Sequence, residues 1–150
     1  MWNAAGCSRR PDVFNETRDA RLLRLDRERA DLARASSAVE RTRIQIRISD
    51  LLISFMGDAV ADGDMDRVAA EVEEYRSAIF DARDLMMGSG RDPARDVAGY
   101  RDLEIALRQQ VRQLDDIRTR LLEAFREPLE RLIVEVTEIR NELLDALFPD

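Results

Sequence analysis

The feature that most constrains this chain is the spacing of its apolar residues. Met65, Val68, Val72, Tyr75, Ile79, Ala82 and Met86 follow one another at intervals of three and four, and so do Leu129, Leu132, Val136, Ile139, Leu143 and Leu147. At 3.6 residues per turn this spacing gathers the oily side chains on one stripe of a helix, which leaves water only by meeting a neighbour's stripe. Stripes of this kind pack at shallow crossing angles. The expected fold is therefore all-α, an antiparallel bundle of three to five long amphipathic helices.

Local signals divide the chain into those helices. Residues 13–35 suit a first helix, but its apolar stripe of Leu22, Leu25 and Leu32 is narrow and interrupted by Arg29. Such a helix lies outside the bundle or is shared with a second copy. Ser37, with Glu40 three residues on, is a capping-box signature and predicts a second helix from about 38. The alternative, one continuous helix of nearly fifty residues, would run to about 70 Å, too long for a compact domain.

The second helix, 38–61, is expected at the centre. Ile44, Ile48, Leu51, Leu52, Phe55 and Ala59 line one face, and Ile46, Ile53 and Val60 a second. The alternation Ile44, Ile46, Ile48 also fits a strand, but the helical pattern around it outvotes that reading. Asp62-Gly63-Asp64 ends the helix and offers Asp64 as the next cap. Gly88-Ser89-Gly90-Arg91-Asp92-Pro93 closes the third, with Asp92 expected to cap the next helix and Pro93 to take its first position. Further on, Pro128 either kinks one helix or starts another, so 93–147 is one kinked helix or two. Residues 1–12 lack periodicity and read as a flexible tail, leaving 13–150 as a single domain without the signature of a solenoid repeat.

Composition narrows the function classes. All 24 basic residues are arginine, and histidine is absent. The chain has no imidazole base or imidazole metal ligand, and no lysine for a Schiff base or a P-loop phosphate contact. No enzymatic activity and no cofactor are expected. Net charge is −7, with the first 50 residues mildly basic and the rest acidic, so a phosphate backbone would be repelled by most of the surface and nucleic acid is not an expected partner. A single cysteine, Cys7, excludes an internal disulfide and a multi-cysteine metal site. No apolar run reaches the 18 residues of a membrane-spanning helix.

Each cluster that suggests chemistry has a plainer structural explanation. Asp62, Asp64 and Asp66 with Glu73 echo a calcium loop, but the sixth position, which requires glycine, is Arg67. Glu71, Glu73, Glu74, Asp115 and Asp116 could suggest a carboxylate metal site, yet they lie mostly off the apolar stripes and read as solvated faces. Gly88-Ser89-Gly90 follows a helix rather than a strand and reads as a linker, not a phosphate cradle. Arg41, Arg43, Arg47, Arg108 and Arg112 are expected to pair with some of the 31 acidic residues. Tyr75 and Tyr100 are expected in the core.

Two strips, Arg41 to Leu52 and Tyr100 to Arg108, resemble stretches of uncharacterised bacterial all-helical proteins. The resemblance implies a bacterial origin and no particular activity. A non-catalytic role, structural or in protein–protein interaction, is the expected function. The second face of the central helix, Ile46, Ile53 and Val60, is the candidate interaction face and motivates a homodimer or another protein partner. The alternative starts at Ala4-Ala5-Gly6-Cys7, which resembles the end of a bacterial lipoprotein signal although the apolar stretch before it and a Leu-like residue at position 4 are missing. Lipidation at Cys7 would make the chain a periplasmic or envelope-anchored binding or chaperone-like bundle, and requires a signal upstream of Met1. With Met1 as the true start, the chain is expected in the cytoplasm.

Overall fold

The computed structural model describes residues 16–88 and 90–150. Cys7, the tail 1–12 and the first residues of the expected 13–35 helix lie outside them. Five α-helices account for most of the described chain, which contains no strand: α1 (Arg18–Arg34), α2 (Ala38–Ala61), α3 (Met65–Met87), α4 (Val97–Arg120) and α5 (Glu127–Leu147), with a short 3-10 turn at Glu123–Phe125 before the last. The all-α bundle expected from the spacing is what forms.

The helix ends follow from their residues. Thr17 caps α1 by accepting from the Ala20 amide at 3.2 Å, Ser37 caps α2 by accepting from Glu40 at 3.1 Å, and Asp64 caps α3 by accepting from Arg67 at 3.1 Å. After α2 the chain reverses at Gly63, whose φ of 67° is the left-handed conformation that glycine adopts without a steric penalty. Its amide donates to Val60 O at 3.1 Å and that of Asp64 to Ala59 O at 3.0 Å, so two carbonyls at the helix end are satisfied.

The Asp92-Pro93 cap behaves differently from expectation. Asp92 accepts from the Ala94 amide at 2.9 Å, but the turn it starts is isolated, and α4 begins only at Val97. The reason is local: the apolar stripe resumes with Gly99 and Tyr100, so nothing on residues 93–96 is pulled onto the core. At the far end of α4 the chain breaks completely. The Arg126 guanidinium donates to Leu121 O at 2.9 Å, and Pro128 sits in the first turn of α5, where its missing N–H costs nothing. Residues 93–147 are thus two helices.

Consecutive helices run antiparallel, but the bundle is two hairpins, α2–α3 and α4–α5, laid side by side with like-directed helices in contact. Arg76 reaches Glu135 at 2.7 Å and Arg83 reaches Glu142 at 2.9 Å, an advance of seven residues on both α3 and α5 that only a parallel pair permits. Arg43 to Asp102 and Ser49 to Gln110 set α2 parallel to α4 in the same way. On the outside α1 lies antiparallel to α2, with Arg21 beside Asp58 and Glu28 beside Arg47.

α2 is accordingly packed on three sides, as a central helix must be, and Ile44 and Ile48 on one face and Ile46 on another are all buried. On α1 the contact stripe is Arg21, Leu25 and Leu32, whereas Leu22 is 42% exposed. That stripe is offset from the expected one because an arginine takes a core-facing position.

Two glycines report how tightly the hairpins meet. A methyl group on Gly57, inside α2, would touch nothing within 4 Å, but one on Gly99, near the start of α4, would lie 2.5 Å from Met86 Sδ and 3.3 Å from Val39. Gly57→Ala should therefore stabilise by about 0.5–1 kcal/mol, the usual helix gain. Gly99→Ala should reverse that sign, because the buried Met86 must move. Urea unfolding of the two variants against the parent checks both.

Candidate functional site

The largest polar constellation in the interior ties three helices together. The Tyr75 hydroxyl donates to Gln110 Oε1 at 2.8 Å, and Gln110 Nε2 donates to Ser49 Oγ at 2.7 Å and to Asp50 Oδ1 at 2.8 Å. Ser49 in turn donates to the Ile46 carbonyl at 2.7 Å. Burial, and secondarily the charge of Asp50, pushes the Tyr75 phenol well above its ordinary range. A neutral tyrosine donating into a glutamine holds register between α3, α4 and α2; its polar atoms are occupied by one another.

A second constellation joins α1 to α2. Arg21, 7% exposed, donates to Ser54 Oγ at 2.9 Å and to Asp58 Oδ2 at 2.7 Å, and its guanidinium carbon stands 5.2 Å from the centre of the Phe55 ring. A third links the second hairpin: the buried Glu104 of α4 accepts from Arg140 of α5 at 2.9 Å and from Arg108 at 3.4 Å.

The carboxylates singled out in the sequence do not converge. Arg67, where the calcium pattern requires glycine, points its guanidinium at Asp62 (2.9 Å) and approaches Asp64 (3.9 Å), so a fixed cation of the chain itself sits among these acids. Glu73, Glu74, Asp115 and Asp116 are exposed. Among the arginines, Arg43 pairs with Asp102, Arg47 with Glu28 and Arg108 with Glu104, while Arg112 is exposed. Tyr75 and Tyr100 are core residues, the latter donating to the Met86 carbonyl.

The expected interaction face is placed elsewhere than at a surface. Ile46 is 5% exposed and Ile53 wholly buried, because both belong to the side of α2 that also carries Ser49 and Asp50 and packs on α4. Val60, one further heptad along, is partly buried against the core. The face that looked unpartnered in the sequence is the seam between the two hairpins.

An apolar surface that is open lies at the end of the bundle, where α4 turns into α5. Leu121, Ala124, Phe125 and Pro128 face Met65, Ala69 and Val72 of α3 across a groove of ≈ 340 Å³, with Asp66 and Glu127 also in its lining. Leu122, beside it, is 74% exposed and Phe125 47%. Helix α4 ends at Arg120, and the 3-10 turn that follows leaves Leu122 and Phe125 exposed while Leu121 stays buried; the one available signal was Leu121-Leu122 followed by Ala124-Phe125, three residues before Pro128.

Compared with known protein families, with curated proteins and with solved structures, the chain matches none.

One carboxylate on α3 titrates in an informative direction. Glu71 is raised above the usual range by burial and then by Glu74, which together outweigh Arg67, Arg29 and Arg18. The folded protein thus holds this proton more tightly than the unfolded chain, and that contribution to stability is lost as pH rises through the raised value. Glu71→Gln should raise Tm at pH 7, and the gain should vanish below about pH 4, where the carboxyl is protonated in both states. Thermal melts of the pair across that range check the sign.

Proposed function

We propose that this chain is a non-catalytic helical module that works by protein–protein interaction, and that it binds through the end of the bundle formed by the α4–α5 turn. The exposed pair Leu122 and Phe125 beside the apolar groove carries this reading. Large apolar side chains held out at this turn carry a free-energy cost in water that a partner's apolar surface relieves, about 25 cal/mol per Å² covered. The acids lining the groove, Asp66 and Glu127, favour a partner with cations at the edge of its contact. The interior supports the same view, since the polar side chains of its three constellations are engaged within the fold, Tyr75 with Gln110, Gln110 with Ser49, Arg21 with Ser54 and Glu104 with Arg140.

A photo-crosslinking residue placed at Leu122 should yield a discrete adduct in the native host, which the same residue at exposed Glu138 of α5 does not, and Phe125→Asp should abolish it. An adduct between two copies would make the partner a homodimer. Leu122→Ser alone should change stability by less than about 0.5 kcal/mol. Equal crosslinking from both positions would remove the assignment.

A second reading, an envelope lipoprotein with this bundle in the periplasm, rests on Ala4-Ala5-Gly6-Cys7. No helix among the described residues is long and apolar enough to cross a membrane, so anchoring would fall to a lipid on Cys7. Labelled fatty acid fed to the native host should then enter the protein and be lost with Cys7→Ser. Without incorporation, the cytoplasmic reading stands.

A further inference from the structure

The seam between α1 and α2 is built differently from the seams inside the bundle. The α2–α3, α4–α5, α2–α4 and α3–α5 contacts close around Ile53, Ile79, Leu107 and Val136, all with no exposed surface. On α1 the one large apolar side chain that is buried is Leu25, 6% exposed, and Leu32 is partly so. The rest of the attachment is polar: Arg21 to Ser54 and Asp58 of α2, Arg47 of α2 to Glu28 at 2.9 Å, and, beside this seam, Arg29 to Glu74 of α3 at 3.1 Å. Two atoms on this seam, Arg21 Nε and Glu28 Oε2, are buried without a hydrogen-bond partner.

These two kinds of seam respond oppositely to opening. Separating apolar surfaces returns them to water at full cost. Separating ion pairs returns both charges to water, and their hydration offsets most of the attraction given up. The two buried atoms without partners regain hydrogen bonds at the same time. Nor does α2 depend on α1 for its own end, because Ser37 caps it. The link between the helices is short and extended at Ala35, with Ser36 and Ser37 exposed.

We propose that α1 is a releasable strap: it undocks from α2, and from Glu74 of α3, as a unit while α2–α5 stay folded, uncovering the stripe of Ser54, Phe55 and Asp58 on α2. A helix of this length is marginal alone in water, so undocking and melting of α1 are one event. The strap is a conformational device of the chain by itself and does not rest on the interaction reading at the α4–α5 turn.

Native-state hydrogen exchange on the full, unmodified chain in rising urea tests this. The amides of α1 should exchange through a smaller opening than those of Ile53 and Met56, with protection roughly 100-fold lower and a shallower urea dependence. Raising salt from about 0.05 M to about 0.5 M should speed exchange in α1 severalfold and leave α3–α5 unchanged, since the partly exposed Arg29–Glu74 and Arg47–Glu28 pairs are screened. Arg21→Ala should lower protection in α1 further without touching α3–α5. If α1 shares the rates and urea slope of α2, or if Arg21→Ala lowers protection equally in all five helices, the chain opens as one cooperative unit and the strap is overturned.

Discussion

Ile53 and Phe55 point to nearly opposite sides of α2, yet the first has no exposed surface and the second 3%. A helix apolar in several directions has to be enclosed, and the remaining helices are placed by that requirement. α3 covers one side by folding back at Gly63, α4 arrives on a second, and α1 closes the third. α5 touches α3 and α4 and completes the second hairpin. The three isoleucines at 44, 46 and 48, which mimic a strand by their alternation, are one expression of this enclosure: Ile44 and Ile48 lie on one face and Ile46 on another, and all three are buried.

Apolar burial settles that the helices pack, but it does little to settle their register, since leucines and valines slide past one another at small cost. The polar contacts in the interior supply that information. Gln110 finds a partner for its carbonyl in Tyr75 and for its amide in Ser49 and Asp50 at one relative height of three helices only. A shift by one turn would leave these groups buried and unpaired, at a cost of about 1–3 kcal/mol each. The interhelical arginines act in the same sense on the surface. They add little to stability, as exposed pairs do, but Arg76–Glu135 and Arg83–Glu142 sit one heptad apart and agree on a single alignment of α3 with α5.

How much of this was legible depends on whether the determinant is local. The seams of α3 and α5, the capping by Ser37 and Asp64, and the central place of α2 are all written in residues a few positions apart, and were readable. The choice of neighbour is not local. Ile46, Ile53 and Val60 looked like a free face because no local pattern says that α4 returns to cover it. Arg21 was passed over in favour of Leu22 because a charged residue is assumed to face water; its partners Ser54 and Asp58 lie more than thirty residues away. The groove at the α4–α5 turn was hidden for a similar reason, since only the end of α4 at Arg120 and the 3-10 turn show that Phe125 does not continue the spacing of Ile117 and Leu121.

The parallel contacts also set the two hairpins at one common offset. α2 and α4 are both 24 residues long and start at 38 and 97, and the pairs Arg43–Asp102, Arg76–Glu135 and Arg83–Glu142 all span the same 59 residues. The second hairpin is thus set on the first almost as a repeat is set on its predecessor, although the two share too few residues to show it in sequence. A repeating stack would continue if the outer face of α4 matched the face of α2 on which α4 rests. It does not: where α2 buries Ser49 and Ile53, α4 carries Arg108 and Arg112, both exposed, and only Ile105 keeps the character of Ile46. A third hairpin would have to bury those guanidinium groups, at several kcal/mol for each one left without a partner. Capping units of helical repeats carry a polar outer face toward water, and the exposed arginines give α4 that character.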